Sequence, residues 1–150
     1  MKLNPGDIYK IETKIGYGFL QYIETSKNKL QYVRVLDFLS NDGVIEQEAV
    51  DLPERWNIEF PLKSARYKKI VELVGNYQIP KNYKVAEYAR TKHIIRDDFL
   101  GWHIVNRSTL KRTLKEKLTK DEKKLSPYGI FNDTLIKEYL EENWRLENWE

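Results

Sequence analysis

The sequence contains no cysteine among its 150 residues. Disulfide bonds, thiolate nucleophiles and cysteine-based zinc sites are therefore excluded. The two histidines, His93 and His103, are too few for a zinc site of about four ligands, and their spacing matches no zinc motif. We expect each histidine to be a strand residue with a local hydrogen bond, and we expect no metal and no cofactor.

Long apolar runs are also missing. No segment approaches the roughly 18–20 apolar residues that a membrane-spanning helix needs, and no apolar stretch of the secretory type follows the first residues. Together with the lack of cysteine, this predicts a cytoplasmic protein that does not act on a membrane. Aromatic residues make up 13% of the chain and apolar residues 41%, which is enough for a core without covalent staples.

Charge is unevenly distributed, although the net charge is only +3. Residues 1–76 carry 11 basic and 11 acidic groups, residues 107–124 carry 8 and 3, and residues 125–150 carry 2 and 6. A basic stripe such as 107–124 can bind nucleic acid or an acidic protein face. A solvated surface explains the same pattern more simply, and we favour that interpretation.

The first half of the chain has the pattern of strands. Three segments have strand character: apolar and polar residues alternate in 7–14, the run 19–25 is aromatic and β-branched, and 30–38 alternates again. Gly16-Tyr17-Gly18 is a turn signal between the first two, so the segments predict an antiparallel meander. Further strands at 56–60 and 67–74, with one helical turn at 60–65, would give five, which favours a small curled sheet or an SH3-like barrel.

The second half predicts fewer strands. His93–Arg96 and Phe99–Val105 have strand character. In 109–118 the leucines fall four apart, as in a helix, yet polar and apolar residues also alternate. A capping box, in which Thr119 is followed three residues later by Glu122, predicts a helix starting at Thr119. The segment before it is then a separate element, which favours a hairpin there.

A helix closes the sequence. Asn132 or Asp133 is the predicted N-cap, and the apolar stripe comprises Leu135, Ile136, Tyr139, Leu140 and Trp144. We therefore predict an α+β fold: a single domain over 1–150, with a β-rich subdomain at 1–76 and a mixed subdomain of strands and a C-terminal helix at 77–150.

The search for catalytic groups finds one adjacent carboxylate pair, Asp97-Asp98. Paired carboxylates can bind Mg²⁺ or share a proton. Neighbours on a strand face opposite ways, however, so a turn joining two strands is the more economical interpretation. No serine has a recognisable histidine partner and no phosphate-binding loop occurs, and we predict no catalytic residue.

The aromatic residues are the stronger signal. Tyrosine and tryptophan are enriched at protein interfaces because they give large desolvated contacts at low entropic cost. Packing in the core is nevertheless the ordinary role of each of them in a small domain. The amphipathic candidates are Tyr17, Tyr22, Tyr77, Trp102, Tyr128 and Trp144.

Eight short segments stand out when the chain is taken in order: Asn4–Ile11, Gly16–Ile23, Val33–Val35, Glu59–Leu62, Val74–Pro80 (the "GNYxIP" segment), Gly101-Trp102, Leu118-Thr119 and Leu125–Asp133. In this order they resemble the immunity protein 26 family of bacterial polymorphic-toxin systems. The resemblance covers most of the chain, from about Leu3 to Trp144, and only 81–96 has no counterpart.

The resemblance implies that the chain binds a cognate toxin domain and neutralises it by stoichiometric contact, without catalysis. Hot-spot centres and charged rims are what such an inhibitor needs. The predicted contact residues are Tyr17, Arg34, Trp102 and Tyr128, with Glu138, Glu141 and Glu142 at the rim. The basic stripe, with Lys111, Arg112, Lys115 and Lys117, is the alternative face, and the sequence does not choose between them.

Two other functions compete with this one. A small β-barrel with a basic stripe and surface aromatics can bind nucleic acid, which we consider unlikely here. An enzyme using Asp97, Asp98 or His103 would need a pocket that holds these groups together.

Overall fold

A computed structural model describes residues 2–150 as a mostly β protein with short helices. The strands are β1 (Asp7–Thr13), β2 (Gly16–Thr25), β3 (Gln31–Val35), β4 (Trp56–Phe60), β5 (Val71–Asn76), β6 (Tyr88–Ile95), β7 (Asp98–Asn106) and β8 (Arg112–Lys115). The helices are α1 (Gln47–Val50), α2 (Leu62–Tyr67) and α3 (Asp133–Glu141), and short 3₁₀ turns lie at Glu122–Lys124 and Leu146–Asn148. None of the helices formed by residues 2–150 has the length and apolar character needed to cross a bilayer.

The chain divides into two compact units. The first runs up to Tyr83 and takes in Ile130–Trp144, and the second comprises Lys84–Gly129 and Arg145–Glu150. The sequence pattern placed the boundary after residue 76 and kept the last helix with the second half. Helix α3 belongs to the first unit instead, because the chain returns there after Gly129.

The first unit contains a five-stranded antiparallel sheet in the order β4-β3-β2-β1-β5. The predicted meander is confirmed as β1, β2 and β3. The barrel alternative is not: β4 and β5 are the two edges, and residues 2–150 form no closed barrel. A helical turn before the last strand is confirmed as α2, but it extends to Tyr67, so β5 begins only at Val71.

The first hairpin turn lies earlier than its glycines suggest. Gly16 is the first residue of β2, and the turn consists of Lys14 and Ile15. Gly16 has a φ of +127°, a value that favours glycine, and a Cβ there would lie 3.0 Å from the Ser40 carbonyl oxygen. The glycine therefore permits close approach at the start of the strand, and it is not part of the turn.

The core of the first unit combines both faces of the sheet. One cluster comprises Ile8, Phe19, Leu36, Ile45 and Val50, all buried. A second is aromatic: the Trp56 ring packs near the rings of Phe131, Tyr139 and Trp144, with centroids 6.3, 5.8 and 5.6 Å away. Such pairs contribute about 0.5–1.5 kcal/mol each beyond burial of their area.

Helix α3 contributes to the same unit through its predicted stripe. Asn132 is the cap, accepting a hydrogen bond from the backbone N–H of Leu135 at 2.8 Å. Ile136 and Leu140 are fully buried. Gly18 leaves room for this helix, since a Cβ at that position would lie 2.6 Å from Leu140 Cδ1. The helix and its cap are thus confirmed.

Two of the segments that carry the family resemblance meet at the end of β1. Asn76 Nδ2 donates to the Asp7 carboxylate at 2.9 Å, and the backbone N–H of Tyr77 donates to the Gly6 carbonyl at 3.0 Å. The Tyr77 hydroxyl donates a hydrogen bond to the Ile45 carbonyl at 2.9 Å. These motif residues hold the sheet edge together, and their role is in the fold.

The second unit is built on a three-stranded antiparallel sheet in the order β6-β7-β8. The two strands predicted here are confirmed, and β6 begins earlier than predicted, at Tyr88. The hairpin interpretation of 109–118 is also confirmed, because Arg112–Lys115 pairs with β7 as β8. The capping box is present, with Thr119 N–H donating to Glu122 and Glu122 N–H donating to the Thr119 hydroxyl, at 2.8 and 3.2 Å. The helix predicted to follow it is only the short 3₁₀ turn Glu122–Lys124.

Candidate functional site

The predicted contact residues fall in different units. Tyr17, Arg34 and the glutamates of α3 belong to the first unit, and Trp102 and Tyr128 belong to the second. Within each unit they have separate surroundings, so each is described with its own neighbours.

Arg34 differs most from its predicted role. It was expected to touch a partner, but its side chain is fully buried. The guanidinium donates to Glu54 at 2.9 Å and to Gln21 at 2.5 Å, and its ring neighbour is Tyr83, 5.4 Å away. It also donates to the carbonyls of Val50 and Leu52, at 3.1 and 3.0 Å. In this structure Arg34 links β3 to the α1 region inside the first unit, and its side chain is not accessible to a partner.

Tyr83 belongs to the same buried polar group. Its hydroxyl donates to Asn57 Oδ1 at 2.5 Å. Burial raises the pKa of Tyr83 well above its usual range, and the nearby Tyr32 and Glu54 raise it further. The phenol therefore stays protonated, as its donor role requires.

Tyr17 is half-buried and packs against the first core cluster. Its backbone exchanges two hydrogen bonds with Ser40, and the Lys10 ammonium lies 4.8 Å from its ring centroid. On α3, Glu138 and Glu142 are exposed, and Glu141 accepts a hydrogen bond from the Lys14 backbone N–H at 2.8 Å. Glu138 and Glu142 are thus the accessible members of the predicted rim.

Trp102 is only 5% exposed and packs in the interior of the second unit. Its ring lies 4.7 Å from the guanidinium of Arg90, which is itself buried and also lies 4.5 Å from the ring of Trp149. The guanidinium donates to four backbone carbonyls: those of Lys123 (2.9 Å), Leu125 (3.1 Å), Leu146 (2.7 Å) and Trp149 (3.3 Å). Burial lowers the pKa of Arg90 to about 10, so the group remains charged at neutral pH.

The basic stripe does not form one surface. Residues three apart on a strand face opposite ways, so Arg112 and Lys115 lie on different faces of the second sheet. Lys115 pairs with Glu122 at 3.7 Å, and Lys124 pairs with Asp121 at 3.9 Å. The charges are therefore divided between faces and partly neutralised, which supports the interpretation as a solvated surface.

Asp97 lies in the predicted turn, whereas Asp98 already belongs to β7. Arg96 and Asp97 form a two-residue connection with φ values of +50° and +67°, and Asp98 begins β7. Two positive φ values are typical of the tight turns that join antiparallel strands. Among residues 2–150, no group of three or more histidine and carboxylate side chains is placed to hold a metal ion.

The most prominent surface feature is the end of this β6–β7 hairpin. Four large apolar side chains flank the turn, and each is about half exposed: Ile94 53%, Ile95 49%, Phe99 50% and Leu100 46%. We call these four residues the apolar hairpin end. Exposed apolar side chains are ordinary when isolated, whereas several gathered at one end of a hairpin mark a candidate interaction site.

The apolar hairpin end has a rigid base. Ile94 pairs directly with Phe99 across the strands. Phe99 meets the buried Trp102 edge-on, with ring centroids 5.7 Å apart, and the Lys92 ammonium lies 5.8 Å from the Phe99 centroid. An aromatic residue held in place before binding loses less entropy on binding, which is a property of interface anchors.

The sequence analysis did not select these residues, although a signal was present. Both strands carry two consecutive apolar residues beside the turn, Ile94-Ile95 and Phe99-Leu100. Alternation would bury only one residue of each pair, so both faces of the hairpin end are apolar. A strand with apolar residues on both faces either buries both faces within its own chain or leaves one of them exposed to a partner.

Comparison with known proteins finds no relative: no protein-family model, no curated protein and no solved structure matches the chain.

Proposed function

We propose that the chain is an immunity protein that neutralises a cognate bacterial toxin domain by binding it in a stoichiometric complex. The observation that carries the proposal is the apolar hairpin end, Ile94, Ile95, Phe99 and Leu100, on a rigid hairpin. The order of short motifs that resembles the immunity protein 26 family supplies the class of partner.

The hairpin end supports a protein partner in particular. Its centre is aliphatic and aromatic, and charged groups surround it: Lys92, Arg96, Asp97 and Asp98. An apolar centre with a charged rim of both signs is the arrangement of a protein–protein interface. Nucleic acid would instead require a run of cations along one face.

The motifs and the surface have separate roles in this proposal. The family-like segments at 4–11 and 74–80 hold the first sheet together. The hairpin end includes part of 81–96, the stretch for which the family pattern has no counterpart. We infer that the framework is of the family type, whereas the residues of the binding surface are specific to this chain. Recognition of one particular toxin requires such specificity.

Co-expression with the product of the adjacent reading frame tests the proposal. We expect the two chains to purify together as a complex, and we expect the chain to restore growth to cells that produce that product. A chain that purifies alone as a free monomer, and gives no protection, would count against the proposal.

A further inference from the structure

The second sheet carries a group of three cationic or protonatable side chains on one face. His93, His103 and Arg112 come from β6, β7 and β8 respectively, and they lie on the face opposite to Lys92, Trp102 and Lys115. We call these three residues the cationic patch. The imidazole rings of His93 and His103 have centroids 4.3 Å apart, and Arg112 Nη1 lies 3.3 Å from His103 Nδ1.

The geometry fixes the state of His103. A guanidinium can only donate hydrogen bonds, so His103 Nδ1 must be the acceptor and the neutral ring must carry its proton on Nε2. Burial, the neighbouring His93 and the Arg112 charge together lower the pKa of His103. Protonation would turn Nδ1 into a donor and end its hydrogen bond with Arg112.

The patch has no internal counter-charge. The titratable and charged groups beside His103 are His93 from β6 and Arg112 from β8, and the Tyr128 ring centroid lies 5.5 Å from the Arg112 guanidinium. No carboxylate among residues 2–150 forms an ion pair with His93, His103 or Arg112. An anion placed here would accept hydrogen bonds from all three and would favour their protonated forms.

Apolar groups border the patch. Leu114 pairs with His103 across the strands and is 54% exposed, and Tyr128 is half-buried beside Arg112. A site of one guanidinium and two protonatable imidazoles with apolar edges fits a single carboxylate on a protein surface. A phosphate chain would need further cations in line, and Lys115 faces the other way.

We propose that the cationic patch receives a carboxylate of an acidic segment of the partner protein, and that binding strengthens on mild acidification as His103 takes up a proton. The inference rests on the proposed function, since it specifies the chemistry of the partner's surface. It adds a charged contact on the same sheet that carries the apolar hairpin end.

NMR titration of the histidine ring signals tests this without the toxin. The probe is a capped poly-glutamate peptide, added to the full chain between about pH 5 and pH 8. We expect the peptide to raise the pKa of His103 by about 1 unit. Its affinity should accordingly be about tenfold higher below the His103 pKa than above it.

Two control probes and one variant complete the experiment. A poly-glutamine peptide should leave the His103 pKa unchanged, and single-stranded RNA should bind more weakly than poly-glutamate. Arg112→Gln, on an exposed edge strand, should keep the fold and lose most of the shift. An unchanged His103 pKa with poly-glutamate, an undiminished shift in Arg112→Gln, or tighter binding of RNA would each overturn the inference.

The outcome of this experiment and the test of the proposed function can be distinguished. If Arg112→Gln still purifies with the product of the adjacent reading frame and the histidines ignore poly-glutamate, the inference fails while the proposed function stands. If the chain purifies alone yet the histidines respond, the anion site is real and the assignment of its partner fails.

Discussion

The indole ring of Trp149 meets that of Trp102 edge-on, with centroids 4.9 Å apart. The Arg90 guanidinium lies against both rings and donates to carbonyls of the segments around them. The last residues of the second unit are thus fixed to its sheet by a buried cation that has carbonyl and ring partners. This arrangement supports the base on which Phe99 rests.

Replacing Arg90 should therefore destabilise the second unit. Arg90→Lys keeps the charge, but a single ammonium cannot reach four carbonyls in a fork, and the ring stacking is lost. We expect a loss of about 2–3 kcal/mol in the free energy of unfolding, measured by urea denaturation. Lys120→Gln, at an exposed site, should change it by less than about 0.5 kcal/mol. Equal stability of Arg90→Lys and the wild type would contradict the arrangement.

Replacing Arg34 distinguishes its structural role from the contact role predicted by the sequence. Arg34→Met removes the cationic partner of the partly buried Glu54 carboxylate and the side-chain donor to two carbonyls. We expect a cost of about 3 kcal/mol or more, seen as a lower urea midpoint. The exposed Lys63→Met serves as the control. A folded, fully stable Arg34→Met that fails to bind a partner would show that the sequence-based role was correct.

Substitutions in the apolar hairpin end should affect binding and spare the fold. Ile94→Ser and Phe99→Ser remove half-exposed apolar groups, and together they should weaken the complex about 100-fold. The unfolding free energy should change by no more than about 1 kcal/mol. Calorimetric titration measures the first effect and urea denaturation the second.

The matched control is Leu73→Ser on β5, which replaces an apolar residue that is 40% exposed in the first unit. We expect this variant to bind as the wild type does. Equal weakening by Leu73→Ser and by the hairpin substitutions would mean that the binding surface is elsewhere.

Local signals in the sequence predicted most of the strands, the Asn132 cap and the turn at Asp97, because alternation, capping and turn chemistry act over a few residues. They did not predict the partners of Arg34, which lie 13 to 20 residues away. For the same reason, the local signals did not predict that α3 packs in the first unit. Whether an arginine is buried depends on contacts with residues far away in the sequence, which a short sequence pattern does not contain. Arg34 was therefore predicted to be a surface residue.

The capping box at Thr119 gives a pH dependence of known sign. Hydrogen bonds from Thr119, and then the Lys115 charge, lower the pKa of Glu122 below 4.5, although burial opposes them. Because the folded state holds the carboxyl ionised, its contribution is present above about pH 4.5 and is lost as the pH falls through the lowered value. Glu122→Gln should flatten this part of the stability curve, and Thr119→Ala should cost about 1 kcal/mol. A Glu122→Gln curve parallel to that of the wild type would refute the role of this cap.

The central claim is that the chain acts by protein contact through the β6–β7 hairpin. Hydrogen–deuterium exchange of the chain, free and in complex with the product of the adjacent reading frame, tests this most directly. The account predicts slower exchange on binding at the amides from His93 to Gly101, with little change in β5. Protection confined to α3 or the first sheet, with the hairpin amides exchanging as in the free chain, would contradict it.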